Sequence, residues 1–166
     1  EIDALVRVNV LGVLHTVRAA LPGMVARRRG SIVVVASIAG RIGAPFEALY
    51  SATKFAQIGL AEALSVEVAP HGIAVSVVSP GPVDTAFFAA RGHPYVRPRP
   101  RKVPPEVVAG EVVAAVARRR HERTVPRALG AAVVVRHVLP PLYRLGTRAT
   151  FRREIAEERR RRRGAS

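Results

Sequence analysis

Two short runs of β-branched residues, with a long helical pattern between them, constrain this chain more than anything else in it. The first, Ser31-Ile-Val-Val-Val-Ala-Ser37, is continuously apolar up to its terminal hydroxyl. Such a run fits a strand of a parallel sheet covered on both faces, where neither side of the pleat is left for polar residues. The second run covers residues 73–78. Between them, residues 47–69 carry Leu49, Ala52, Ala56, Leu60 and Leu64 at helical spacing, read here as the packing stripe, and His71-Gly72 ends the helix. A strand, a helix of this length and a second strand make a right-handed crossover, so both strands belong to one parallel sheet. The expected class is α/β.

Within the helix, Tyr50 and Lys54 are four residues apart. That spacing puts both side chains on one flank, roughly 5–6 Å apart at Cβ, and away from the packing stripe. A phenol beside an ammonium is an acid/base device, because the cation favours the phenolate and draws the tyrosine pKa down from its reference near ~10. Ser37 stands at the C-terminal end of the first strand, where open α/β sheets build their sites. The only lysines are Lys54 and Lys102; every other strongly basic residue is arginine. A lysine facing Tyr50 then suggests a need for a compact ammonium rather than a planar fork.

With their surroundings these residues resemble a known family. Residues 31–40 (Ser-Ile-Val-Val-Val-Ala-Ser-Ile-Ala-Gly), the Tyr-x-x-x-Lys segment Tyr50-Ser-Ala-Thr-Lys54-Phe-Ala, and Ile73-Ala-Val-Ser-Val-Val-Ser-Pro80-Gly81-Pro-Val83-Asp-Thr85 are similar to the short-chain dehydrogenase/reductase family. Asn9-Val-Leu-Gly12 matches that family's upstream helix. The resemblance runs from about Asp3 to Thr85 and fades beyond.

It implies a Rossmann-like doubly wound parallel sheet, here partial, with only the last strands and helices. It also implies an oxidoreductase that interconverts a carbonyl and a secondary alcohol by hydride transfer, with NADP or NAD as cofactor. Tyr50 would then be the acid/base and Ser37 would hold the substrate oxygen. Lys54 would lower the Tyr50 pKa and bind the nicotinamide ribose. Asn9 would hold, through its main-chain carbonyl, a water in a proton relay to Lys54. Pro80, Gly81, Val83 and Thr85 would lie along the nicotinamide, with Val83 bonding the carboxamide through its backbone. A glycine beside a ligand makes physical sense, because backbone without a Cβ approaches closely. From the residues alone, Asn9 also reads as an ordinary polar residue on an exposed turn, and Ser79-Pro-Gly-Pro82 as a rigid turn. Epimerases and dehydratases share the Tyr/Lys pair, but residues 31–40 and 80–85 look more like the reductases. The family's oligomers imply pairing through the helices at 3–27 and 47–69.

The rest of the chain is less specific. Residues 3–27 read as a helix with Val10, Val13, Leu14, Val17, Leu21 and Met24 at helical spacing, Arg27 to Arg29 complementing its dipole and Gly30 stopping it. Residues 86–103 are basic and Pro-rich, and by resemblance form a substrate lid. Phe87, Phe88, Tyr95 and Val96 are open to lining an apolar pocket, for an apolar carbonyl or alcohol, or to plain packing. Pro105-Glu106 opens a helix reaching about Arg120, and Thr124-Val125-Pro126 fits a short last strand. The expected organisation is a catalytic portion over 1–128, an amphipathic element over 129–151 broken by Pro140-Pro141, and a basic tail over 152–166, disordered or partly helical.

Short-chain dehydrogenases open with a strand, a Gly-rich turn and a helix whose N–H groups hold the pyrophosphate. No G-x-G-x-x-G follows a strand here, and no Asn-Asn-Ala-Gly precedes Asn9. The expectation is a truncated copy with impaired cofactor binding, in which the strand at 31–37 has an unpaired edge. NAD and NADP are not distinguished, because the deciding residues belong to that opening portion.

The formal net charge is +15 over 166 residues, concentrated at Arg27 to Arg29, Arg97 to Lys102, Arg118 to Arg120 and Arg159 to Arg163. These clusters read as solvated helix ends and tail, or as attraction to nucleic acid or an anionic membrane surface. Without interleaved aromatics or a known module, no specific nucleic-acid partner is expected. The element at 129–151 fits packing on its own domain or a second subunit, or a membrane surface. With no cysteine there is no disulfide and no thiolate metal site, which permits a cytoplasmic location. No signal peptide is visible and no apolar run is expected to approach the ~20 residues that span a bilayer. The rival reading is a non-catalytic association module, or a basic nucleic-acid or membrane-surface binder.

Overall fold

The structure is a computed structural model that describes residues 2–90, 100–156 and 160. Tyr95, Val96, Arg97 and Arg159, named above, lie outside the described residues, as do residues 161–163. The chain divides into two compact units, Glu1–Leu129 and Gly130–Ser166.

The first unit opens with helix α1, Ile2–Ala26. Strand β1 (Gly30–Val35), helix α2 (Ala48–Val68) and strand β2 (Ile73–Pro80) follow. After a four-residue helix α3 (Phe87–Ala90), helix α4 (Pro105–Arg118) leads into strand β3 (Glu122–Val125). The three strands form one sheet in the order β1-β2-β3. Both pairings are parallel, with Gly30 opposite Ile73 through Val35 opposite Val78, and Val77 opposite Glu122 through Pro80 opposite Val125. This is the expected Rossmann-like parallel α/β arrangement, with each strand pair joined through a helix.

Burial separates the two apolar runs. Every residue of β2 but Ala74 is buried, as a central strand covered on both faces requires. In β1 only Val34 is buried, and Val35 is 46% exposed, which corrects the expectation that this run is covered as completely. The reason is position: β1 ends the sheet. The core lies on two faces. Val34, Val75, Val77, Ile58, Ala61 and Leu64 pack together on one, with Val17 and Leu21 of α1 against them. Val78, Val108, Ala115 and Val125 pack on the other, with Val33. A fully buried side chain of this size is worth about 1.5–3 kcal/mol.

Three local expectations are corrected. In α2 the buried residues are Ser51, Thr53, Lys54, Gln57, Ile58, Ala61, Leu64 and Val68, while Ala52 and Ala56 are exposed. The inward stripe therefore includes Lys54 and shares its side with Tyr50. Helix α1 is not regular, because Arg7–Leu11 forms a π turn between α-helical Ile2–Val6 and Gly12–Ala26. Its end is turned by Arg28, at φ 49°, rather than by Gly30, which already starts β1. After α2, Gly72 adopts φ 71°, and a Cβ there would meet the Arg28 carbonyl oxygen at 2.5 Å.

By length and composition alone, Ile2–Ala26 is long and apolar enough to cross a membrane, which corrects the expectation that no apolar run approaches that length. Its Val17, Leu21, Met24 and Val25 pack on the core, while Ile2, Val8, Leu11 and Leu14 are exposed.

The second unit contains α5 (Leu129–Val138) and α6 (Pro140–Thr150). Pro140 and Pro141 sit in the first turn of α6, where their missing N–H groups cost nothing. Tyr143 and Thr147 are half-buried and Phe151 is buried, while Leu142 and Leu145 are exposed.

Candidate active site

The candidate site is built where β1 and β2 end and α2 begins. Ser37 leaves β1 in extended backbone and caps the turn Ile38–Gly40, its Oγ accepting from the Ala39 N–H at 3.2 Å. The same hydroxyl is directed at the Pro80 carbonyl, 3.5 Å away across the ends of the two strands. Ser37 is thus buried at the seam where the first apolar run meets the Pro-Gly segment.

The turn lies flat on α2. A Cβ on Gly40 would stand 2.7 Å from both the carbonyl carbon and the oxygen of Lys54. Only glycine permits that approach, so Gly40 sets the distance between the end of β1 and the helix that bears Tyr50 and Lys54. Ser51 ties down the following loop, its Oγ accepting from the Ala44 N–H at 3.0 Å.

On α2, Lys54 Nζ lies 5.6 Å from the centroid of the Tyr50 ring. The other side of the Tyr50 ring environment is Phe87, centroid to centroid 5.5 Å, and Phe87 in turn meets Phe88 edge-on at 5.3 Å. Lys54 is buried and donates to the Val35 carbonyl at 3.3 Å and to Gln57 Oε1 at 3.0 Å. Burial strips water from its ammonium and lowers its pKa from 10.5 to about 8.

Asn9 reaches this helix from the π turn of α1. Its side chain donates to Thr53 Oγ1 at 3.1 Å, and its main-chain carbonyl accepts from Gln57 Nε2 at 2.7 Å. Asn9, Lys54 and Tyr50 are therefore brought together from two separate helices. Gln57 was not singled out in the sequence. The available signal was a lone amide three residues after Lys54, on what proves to be the buried side.

Pro80 ends β2 and is buried. Gly81 donates its N–H to the Val125 carbonyl at 2.7 Å, and a Cβ on it would meet Leu129 Cδ1 at 2.5 Å. Glycine at this position is thus explained by packing within the unit. Val83 forms a parallel bridge with Val103, and Val103 donates to Pro82 while Asp84 donates to Val103, both at 2.9 Å. Thr85 is exposed, with its Oγ1 accepting from the Phe87 N–H at 3.4 Å. These contacts hold the segment after β2 against the strand ends, on the same edge as Ser37. Among the described residues no cluster of three or more metal-ligating side chains occurs.

A hydroxyl, a phenol and a buried ammonium stand near the C-terminal edge of the parallel sheet of this α/β protein. Residues 1–95 match the short chain dehydrogenases, and the chain belongs to that family. Over 87 residues it is 42% identical to the 3-ketodihydrosphingosine reductase of Bacteroides thetaiotaomicron, a stretch covering 52% of this chain and 32% of that relative. A short chain dehydrogenase from Burkholderia cenocepacia, solved in complex with NADP, is 28% identical at a TM-score of 0.73, over 90% of this chain and 58% of that one. A short chain dehydrogenase/reductase from Burkholderia phymatum, solved in complex with NAD, is 28% identical at a TM-score of 0.68, over 81% of this chain and 56% of that one. The chain spans about a third of the curated relative and somewhat over half of each solved protein.

Proposed function

We propose that residues 1–128 carry the catalytic portion of an NADP- or NAD-dependent oxidoreductase that interconverts a carbonyl and a secondary alcohol. The observation that carries this reading is the buried Lys54 ammonium beside the Tyr50 ring, at the sheet edge that also holds Ser37 and Pro80. The similar proteins solved with NADP and NAD, and the ketone-reducing name of the curated relative, support it.

The residues present fit the nicotinamide end of such a cofactor. Lys54 offers an ammonium and the segment after β2 lies alongside, pinned by Val103. A bound nicotinamide would supply or accept the hydride. Tyr50 donates its phenolic proton to the carbonyl oxygen in reduction and removes it from the alcohol in oxidation. Ser37 Oγ hydrogen-bonds the same oxygen. Lys54 stabilises the phenolate and would hold the ribose hydroxyls. Asn9 steadies Lys54 from α1, and Pro80, Gly81, Val83 and Thr85 are the residues that would hold the nicotinamide. Phe87 and Phe88 give the pocket an apolar wall, so an apolar ketone or secondary alcohol is the substrate class. This reading also requires a pyrophosphate-binding turn, which the 166 residues do not display as a Gly-rich motif.

The outward sides of α1 and α2 carry exposed apolar residues, including Val8 at 70% and Val66 at 75%. Pairing of two copies through these helices is part of the proposal.

Fluorescence titration of the chain with NADPH and NADH, followed by assay of ketone reduction, tests the reading. Weakened binding is expected of the 166 residues alone, because the Gly-rich pyrophosphate turn is not displayed; where ketone reduction is measured, Tyr50→Phe is expected to lose about 10²–10⁴-fold in rate while binding is retained. Turnover unchanged in Tyr50→Phe would remove Tyr50 from the chemistry.

A further inference from the structure

Gln57 is the only glutamine in the chain, and Asn9 the only asparagine. Gln57 is 5% exposed, at the point where the buried side of α2 passes from Ser51, Thr53 and Lys54 to Ile58, Ala61 and Leu64. Both ends of its amide are used. Oε1 accepts from Lys54 Nζ at 3.0 Å, and Nε2 donates to the Asn9 carbonyl at 2.7 Å. The two partners fix the amide's orientation, since an ammonium only donates and a carbonyl only accepts. Asn9 sits in a π turn, a distortion that recurs at functional sites, and its own side chain donates to Thr53 Oγ1. Thr53 Oγ1 in turn donates to the Tyr50 carbonyl at 2.8 Å. Two amides therefore lock the π turn of α1 onto the turn of α2 that bears Tyr50 and Lys54.

We propose that Gln57 is a positioning residue, which bridges the Lys54 ammonium to the main-chain carbonyl of Asn9 and so fixes where that ammonium stands beside Tyr50. The inference rests on the proposed function above and deepens it. Only an amide serves both partners: a carboxylate accepts from Lys54 but has no hydrogen for the carbonyl, and a thioether does neither. The amide does not ionise, so the link keeps its form as pH changes. Its N–H protons stay on nitrogen, so the bridge holds geometry without carrying a proton from Lys54 to Asn9. The groups facing Lys54 are Tyr50 and Gln57 on its own helix, the Val35 carbonyl from β1, and Asn9 through the bridge from α1. Among the described residues no ion pair joins Lys54 to a carboxylate, and Tyr50 is the titratable group beside it.

The chain's composition makes the test unusually clean. With ¹⁵N labelling it has two lysine Nζ signals, assigned by Lys102→Arg, and two side-chain amide pairs, one from Gln57 and one from Asn9. In the native chain the Gln57 amide pair is expected to shift with the same midpoint as Lys54 Nζ. Gln57→Glu is expected to raise the Lys54 midpoint by about one unit or more, since an opposite charge favours the ammonium. Gln57→Met is expected to lower it, by removing an acceptor from the charged form. An unmoved Lys54 midpoint in Gln57→Glu, or a native Gln57 amide that ignores the Lys54 titration, overturns the proposal, and neither readout depends on Gln57→Met remaining folded. Because no cofactor enters the titration, failed NADPH and NADH binding would count against the proposed function while leaving this result intact.

Discussion

At the scale of single residues, Lys54 is the most informative group. Its folded pKa of about 8 lies below the 10.5 of a free lysine, so burial disfavours its charged form. Between those two values the unfolded chain holds a proton that the folded chain has released. Stability from this group therefore rises with pH from about 8 to about 10.5, and below 8 the burial cost is present in full. The stability of the native chain minus that of Lys54→Met is expected to increase across that window by up to about 3 kcal/mol. Denaturant melts of both proteins at pH 7, 8.5 and 10 measure it; a difference independent of pH would mean that the ammonium is well solvated. The cost of leaving the Val35 carbonyl and Gln57 Oε1 without their donor in Lys54→Met is a constant offset, which drops out when the difference is compared between pH values.

At the scale of elements, two glycines make opposite predictions. Gly40→Ala pushes a Cβ to 2.7 Å from the Lys54 backbone and 2.8 Å from Ile58 Cδ1. It should lose about 1–3 kcal/mol and, by displacing α2 from the end of β1, reduce turnover as well. Gly110→Ala, in α4, meets nothing within 4 Å and should gain about 0.5–1 kcal/mol. Thermal melts compare them, and a neutral Gly40→Ala would show that the turn is free to retreat. The elements themselves were legible in the sequence. Continuous β-branched runs mark β1 and β2, and Gly72 and Pro105 punctuate the helices. The face of α2 was not legible. Of the expected stripe only Leu64 is buried; Leu49, Ala52, Ala56 and Leu60 look like core by hydropathy, yet the first half of the buried side is Ser51, Thr53, Lys54 and Gln57, polar groups that hydrogen bonds satisfy, before Ile58, Ala61, Leu64 and Val68 continue it. Hydropathy counts such residues as outward because it cannot see their partners. The π turn escaped for a related reason: Val10, Val13 and Val17 keep a helical spacing whether or not one residue bulges. Tyr50, Lys54, Ser37 and Asn9 were legible through their motifs, whereas Gln57 belongs to no motif.

At the scale of the whole molecule, β1 ends the sheet with its outer main-chain groups facing no strand among the described residues. Open apolar edges invite pairing between copies. A net charge of +15 opposes that pairing at low salt, and screening removes the opposition once the Debye length falls to about 10 Å near 0.1 M. The chain is expected to self-associate increasingly as salt rises, and Val35→Lys, at a residue 46% exposed on that strand, is expected to reduce the effect. Light scattering across a salt series checks this, and a monodisperse monomer with a sharp cooperative melt at every salt concentration would rule it out. The same edge has a defined polarity, set by the parallel pairing of β1 with β2. A polypeptide offering a strand to β1 in the sheet's own direction would finish beside Ser37, so the loop that follows it would arrive at Tyr50 and Lys54 without further guidance. Strand donation in trans is thus a route by which a separate chain would contribute directly to this centre.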